Sequence, residues 1–363
     1  MFIFFSVSSV SLWFKRCPMK KRAGFLLSLI VLGVVLVACS ATPSEPNATI
    51  TPAATNTTEP SPTPEAKTAT ATSTVTVTPE PTATPQNTNL TGDSMQASEE
   101  ITDTFDPNFY IFLCFGQSNM EGAAAIEPQD RTVDPRFQVL QSLNCPNLGR
   151  KKNTWYPAVP PLAQCYSGLS PADYFGRTMV ENLPEDIKVG VINVAVGGCD
   201  IRLFDKDLYQ DYDDTYKDAW FTNKITAYGG NPYQHLINLA KLAQQRGVIK
   251  GILLHQGETN TGDRQWPAYV KKIYNDMLTD LGLDAESVPL LAGEVVDAEH
   301  GGCCAAMNPI IATLPDTIPT AHVISSQGCT AKDNAHFDSA GIRELGRRYA
   351  EKMLSLMGYE IGE

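Results

Sequence analysis

The sequence predicts an α/β fold: a three-layer α/β/α sandwich around a central, mostly parallel sheet, occupying roughly residues 105–363 of the 363-residue chain. Two observations lead there. Short apolar runs alternate with stretches of helical period, which is the pattern of strands joined by crossover helices. The runs are also continuously apolar rather than alternating, as strands covered on both faces are.

Taken in order, the strands are expected at Phe109–Phe115, Val189–Val196, Ile249–His255, Pro289–Glu294 and His322–Ser326. Between them, Ser170-Pro171-Ala172-Asp173 reads as a cap, a first-turn proline and an early acid, opening a helix through Leu183. Residues 232–246 put Leu236, Leu239, Ala240 and Ala243 on one face, and Gly247 ends the run. Trp266 to Leu281 repeats apolar residues at spacing four (Tyr269, Ile273, Met277), and Ser339 to about Met357 carries the stripe Ile342, Leu345, Tyr349, Met353. These stripes are core-forming, and there is no internal repeat.

The first hundred residues have a different character. Residues 1–39 hold Lys15, Arg16, Lys20, Lys21 and Arg22 with no acid, followed by the apolar run Ala23 to Ala38, the layout of a secretory signal. That run is shorter than the roughly 20 apolar residues of a spanning helix. It ends Leu36-Val37-Ala38-Cys39-Ser40, which resembles a bacterial lipobox, with Cys39 as the acylated residue. Met19 is an alternative start to Met1. Residues 40–104 are rich in Thr, Pro, Ala, Ser and Glu and almost free of large apolar side chains. Such a stretch cannot bury enough surface to offset its ordering entropy, so a disordered stalk is expected. The resulting expectation is an extracytoplasmic domain held on a membrane by an N-terminal lipid.

Charge narrows the partners. Lys and Arg total 28 and Asp and Glu 40; without the five leader cations the balance is 23 to 40, a net charge of −17. That excess opposes nucleic acid and anionic lipid and favours a neutral or weakly charged substrate. Seven cysteines follow Cys39, so at least one stays unpaired. Cys114, inside an apolar run, is the candidate for burial as a thiol, and Cys145 with Cys165 for a loop staple. No Cys or His spacing resembles a zinc site, and Cys303-Cys304 reads as structural.

In open parallel sheets reactive groups gather past the carboxyl ends of the strands. There the chain offers Gly116-Gln117-Ser118-Asn119-Met120, Ala195-Val196-Gly197-Gly198, His255-Gln256-Gly257-Glu258 and Asp333-Asn334-Ala335-His336. Together they supply a hydroxyl, flexible backbone amides, a side-chain amide, acids and imidazoles, the parts of an acyl-transfer site. Taken alone, Ser118 reads equally as a nucleophile or a helix cap and Gln256 as a donor or a satisfied polar residue, while Gly197-Gly198 reads more readily as a tight turn than as hole donors. His336, three residues after Asp333, has the best-placed acid of the five histidines. His255 is the rival base, His322 begins a strand, and His235 and His300 lack a supporting pattern.

In sequence order these clusters resemble the SGNH hydrolases, whose fold is flavodoxin-like. Within them the likeness is to the carbohydrate esterases: acetylxylan esterases of carbohydrate esterase family six and sialate O-acetylesterases. The carrying motifs are Phe115-Gly116-Gln117-Ser118-Asn119-Met120-Glu121-Gly122, His255-Gln256-Gly257-Glu258-Thr259-Asn260 and Asp333-x-x-His336. The resemblance implies Ser118 as nucleophile, His336 as base, Asp333 or Glu258 as the orienting acid, and an oxyanion hole from Ser118, Gly197 or Gly198 and Gln256. It requires no metal or organic cofactor.

Asn119, Trp155, Trp220 and Asn260 are expected against the substrate, an acetylated carbohydrate; Tyr212, Tyr216 and Tyr228 are further aromatic candidates. Pro171 to Arg177 and Trp155-Tyr156 look closest to the acetylxylan esterases. A sialate O-acetylesterase, a lipid or aryl esterase, and a non-catalytic carbohydrate-binding surface protein are the competing readings.

Overall fold

A computed structural model describes residues 104–213 and 218–359, leaving aside the side chains of 212 and 213. The expected leader, Cys39 and all but the last residue of the expected stalk lie outside the described residues. Among the described residues no helix is long and apolar enough to cross a membrane.

The chain enters the sheet at β1 (Phe109–Gly116), whose alternate side chains go to opposite faces. Phe109, Ile111, Leu113 and Phe115 join one apolar cluster, while Phe112 and Cys114 join the other, so the strand is buried on both sides. This is why its sequence is an unbroken apolar run. A four-residue helix α1 (Ser118–Glu121) follows at once, then two short strands, β2 (Phe137–Leu140) and β3 (Trp155–Pro157).

Helix α2 (Pro171–Asn182) begins where expected: the Asp173 carboxylate accepts hydrogen bonds from both the backbone N–H and the hydroxyl of Ser170, each at 2.8 Å. Then come β4 (Lys188–Ala195), the short helices α3 (Tyr209–Asp213) and α4 (Ala219–Ala227), α5 (Pro232–Ala243) and β5 (Val248–His255). The chain closes with α6 (Trp266–Leu281), β6 (Leu290–Gly293), α7 (Asn308–Ile311), α8 (Leu314–Thr317), β7 (Ala321–Ile324) and α9 (Ser339–Leu356).

The seven strands lie in the order β3-β2-β4-β1-β5-β6-β7, all parallel except the β2/β3 pair. The apolar stripes of α2 and α9 cover one face through Phe175, Met179, Ile342, Leu345 and Tyr349. Those of α5 and α6 cover the other through Leu236, Ala240, Val270, Ile273 and Met277. All five expected strands and four expected helices are present. The two extra strands and five extra helices are short, with too few residues to establish a period. Cys145 and Cys165 are bridged, Cys303 is joined to Cys304, and Cys114, Cys199 and Cys329 are buried thiols.

The strand order reverses around β1: β4 lies to one side of it and β5 to the other. A parallel sheet opens its crevice at such a point, outside the carboxyl ends. Gly116 makes the approach possible, because a Cβ on it would lie 2.1 Å from the His255 carbonyl oxygen, and its φ of 148° suits glycine.

Candidate active site

The three loops after β1, β4 and β5 meet the loop before α9. Ser118, the first residue past β1 and Gln117, lies 2.9 Å through its Oγ from the Nε2 of His336, 218 residues on. The other ring nitrogen, Nδ1, sits 3.0 Å from each oxygen of Asp333. Asp333 Oδ1 also accepts the backbone N–H groups of Ala335 at 2.9 Å and His336 at 2.8 Å. Burial works against ionisation of this carboxyl, but those bonds and the imidazole outweigh it and hold its pKa below the ordinary value. Hydroxyl, imidazole and carboxylate thus stand in line, with the tautomer that leaves Nε2 facing the hydroxyl.

The backbone N–H groups of Ser118, Gly197 and Gly198 donate to no acceptor among the described residues. A Cβ built on Gly197 would lie 3.5 Å from the Ser118 Cβ, which puts that turn beside the hydroxyl. Gly198 has φ +81°, a conformation favouring glycine, and the ring of Trp220 lies over it. The arrangement brings a hydroxyl, an imidazole, a carboxylate and uncommitted backbone amides to one end of the sheet, the parts that acyl transfer uses.

Residues 108–355 match the family model "carbohydrate esterase, sialic acid-specific acetylesterase". The chain belongs to that family. It is an esterase of the carbohydrate class. Two solved structures share the fold: a protein from Arabidopsis thaliana, with TM-score 0.53 and 19% identity over 69% of this chain and 99% of that one, and NanS, with TM-score 0.52 and 15% identity over 70% and 99%.

Several side chains of the esterase do not do what their positions suggest. Gln256 is expected to offer its amide to an oxyanion, yet the amide is consumed. The indole N–H of Trp266, which can only donate, bonds its Oε1 at 2.5 Å and so fixes which end is which. Nε2 then meets Gln117 Oε1 at 3.1 Å, the Cys199 carbonyl at 3.1 Å and Asn260 Oδ1 at 2.7 Å. Asn260 is equally engaged, its Nδ2 on Asp200 and its Oδ1 also taking the Ile201 N–H. Gln256 is thus a scaffold residue with no amide N–H left over, and Asn260 is a buried scaffold residue whose Oδ1 is shared by two donors.

Asn119 is also buried and committed. Its Nδ2 donates to Glu258 Oε1 at 2.7 Å and to the Ala335 carbonyl at 3.0 Å, and its Oδ1 accepts the Phe337 N–H at 3.3 Å. It therefore grips the chain on both sides of His336. Glu258 bonds Asn119, and Asp333 is the acid found on the imidazole. Enclosure raises the Glu258 carboxyl to about 7, against the opposing hydrogen bonds from backbone amides and Asn119.

Trp155 packs edge-on against Phe109 at 4.7 Å, at the opposite end of β1 from Ser118. At about 3.3 Å per residue, that separation is far beyond contact with Ser118. Tyr228 is buried in the core, while the side chains of Tyr212 and Tyr216 fall outside the described residues. Trp220, more than half exposed, is the aromatic ring at the site.

His255, the rival base, is buried without a partner on Nε2, and burial lowers its pKa to about 3. It is a neutral core residue against Phe337. His235 bonds the Ser142 carbonyl. His300 has a partner that the sequence reading missed: its Nδ1 lies 2.8 Å from Asp297, again three residues earlier.

Gln117 was also missed. Its Oε1 is held by Gln256 Nε2 and faces the N–H groups of Gly257 and Thr259, while its Nε2 meets no acceptor among the described residues. The signal available in sequence was its place between the strand and the serine. Among the described residues no cluster of His, Cys, Asp and Glu could hold a metal ion.

Proposed function

We propose that the protein is a serine esterase that removes O-acetyl groups from carbohydrate through an acetyl-serine intermediate. The observation that carries the reading is the 2.9 Å approach of His336 Nε2 to Ser118 Oγ, with Asp333 behind the imidazole. In the first half-reaction Ser118 attacks the acetyl carbonyl while His336 takes its proton. The amides of Ser118 and Gly197 or Gly198 stabilise the developing oxyanion, with Gln117 Nε2 in the part expected of Gln256. His336 then protonates the departing sugar oxygen, and water, activated by the same imidazole, releases acetate in the second half.

Acetylated xylan and acetylated sialic acid are the candidate substrates. The family's description supports sialic acid. The acetylxylan reading leaned on Trp155 and the Pro171 to Arg177 run, and the packing of Trp155 against Phe109 and the α2/α9 contact give those residues structural work. Lipidation at Cys39, with an extracytoplasmic membrane-held domain, is a proposal from sequence alone.

Acetate release from the two substrates, measured with wild type, Ser118→Ala and Gln117→Ala, tests this. Ser118→Ala should abolish release from whichever sugar is turned over, and Gln117→Ala should lower kcat by about 10²-fold, the order seen when a hole donor is removed. Persisting release by Ser118→Ala would overturn the mechanism.

A further inference from the structure

One charged pair stands beside the nucleophile and has no part in the chemistry just described. Lys224 on α4 donates through Nζ to Glu121 Oε2 on α1 at 2.5 Å. A Cβ on Gly197 would lie 3.0 Å from that Nζ, 2.7 Å from that Oε2 and 3.5 Å from the Ser118 Cβ. The pair and the serine therefore border the same turn. Glu121 is 7% exposed, and its second oxygen, Oε1, is enclosed without any hydrogen-bond partner. Lys224 keeps 29% of its side chain exposed, and its ammonium lies 5.6 Å from the centre of the exposed Trp220 ring, which overhangs Gly198.

A pair serving only to tie α4 to α1 uses one N–H of the Lys224 ammonium and leaves the others unspent. With Oε1 closed off, a ligand meets the pair by bringing an acceptor to the part-exposed Lys224 ammonium and a donor to Glu121 Oε2. A hydroxyl is both at once. A carboxylate is an acceptor only and would meet repulsion from Glu121. Lys has three N–H donors, and Glu121 is the acceptor found for them among the described residues. The adjacent indole face offers apolar surface to the C–H side of a sugar ring.

We infer that Glu121, Lys224 and Trp220 form a specificity subsite for a free sugar hydroxyl neighbouring the acetylated position, so the substrate is a partially acetylated sugar with a vicinal hydroxyl. This deepens the esterase reading above and rests on it.

The test uses kcat/KM for para-nitrophenyl acetate, for a singly acetylated xyloside or sialoside (whichever the acetate assay selects) and for the same sugar with the neighbouring hydroxyl replaced by hydrogen. Wild type should favour the hydroxyl-bearing sugar over its deoxy form by about 10- to 100-fold, the range for a hydrogen bond to a charged group. In Lys224→Met the two sugars should converge, and the loss on the hydroxyl-bearing sugar should exceed the loss on the aryl ester by at least about 10-fold. Glu121→Gln should narrow the same preference.

A preference unchanged in Lys224→Met, or a loss shared equally by sugar and aryl ester, would overturn the subsite while leaving the esterase reading in place. Faster turnover of a form carrying a carboxylate in place of that hydroxyl, with the advantage lost in Lys224→Met, would replace it with an anion site. No turnover of any ester would overturn the esterase reading and the subsite together.

Discussion

Asp297 to His300 and Asp333 to His336 are the same local device built twice. In each, an aspartate oxygen accepts the backbone N–H of the histidine three residues on, at 2.8 Å, and meets its Nδ1, at 2.8 Å in the first and 3.0 Å in the second. In each, burial opposes ionisation and hydrogen bonding outweighs it, so the carboxyl stays below its ordinary pKa. The imidazoles are oriented alike. What separates them is the far nitrogen: His336 Nε2 faces Ser118 Oγ, and His300 Nε2 has no hydrogen-bond partner among the described residues. A second difference is support, since Asn119 bonds the residues on both sides of His336. An Asp-His pair is thus a property of four residues, whereas a catalytic one depends on what the whole sheet brings to its other side.

The comparison breaks first on a pair of substitutions. His336→Ala should lower kcat for a chromogenic acetate by about 10⁶-fold, the scale seen when the base of a triad is removed. His300→Ala should stay within about twofold. Comparable losses in the two variants would show that the Ser118 contact is not what distinguishes them.

A smaller effect tests the support. Asn119→Ala should reduce kcat by about 10- to 100-fold with KM little changed, because the His336 loop loses its grip and a small misplacement of a catalytic group is costly. Parallel unfolding measurements should show a loss of about 1–3 kcal/mol, since Glu258 and two backbone groups lose a buried partner. Lost stability with kcat intact would reduce Asn119 to packing.

The smallest effect is one of pH. Glu258, raised to about 7, and Asp173, raised by its own burial to about 7, hold protons in the folded state that the unfolded chain releases near its ordinary carboxyl pKa. More protons bound in the folded state means that the contribution of these two carboxyls to stability is greatest below their unfolded pKa and is lost as pH rises towards 7. Glu258→Gln should remove its share of that decline, on the order of 1–3 kcal/mol, leaving the part due to Asp173. Chemical denaturation at successive pH values reads this directly, and an unaltered slope would contradict the assignment.

Most of the fold was legible because its long elements carry redundant signals. β1 is apolar for the full depth of the sheet, and α2 announces its start through Ser170, Pro171 and Asp173. β2 and β3 span four and three residues, and their pairing is set by β4 rather than by any period of their own. At the site, residue types just past strands identified Ser118, the Gly197-Gly198 turn, Asp333 and His336 as candidates.

What sequence could not convey is whether a polar group is already occupied. Gln256 has the right chemistry in the right loop, but Trp266, Cys199, Asn260 and Gln117 use all of it. Asn119 and Asn260 misled for the same reason. Asp297 and His300 escaped notice despite the shared spacing, and the contact that sets His336 apart lies 218 residues away in the chain.

The central claim is that this contact makes Ser118 a nucleophile. Labelling with a serine-directed fluorophosphonate, followed by peptide mass mapping, tests it most directly. A single adduct at Ser118 is expected in wild type and in His300→Ala, strongly slowed in His336→Ala and absent in Ser118→Ala. An adduct on another residue, or a His336→Ala variant that labels as fast as wild type, would contradict the account.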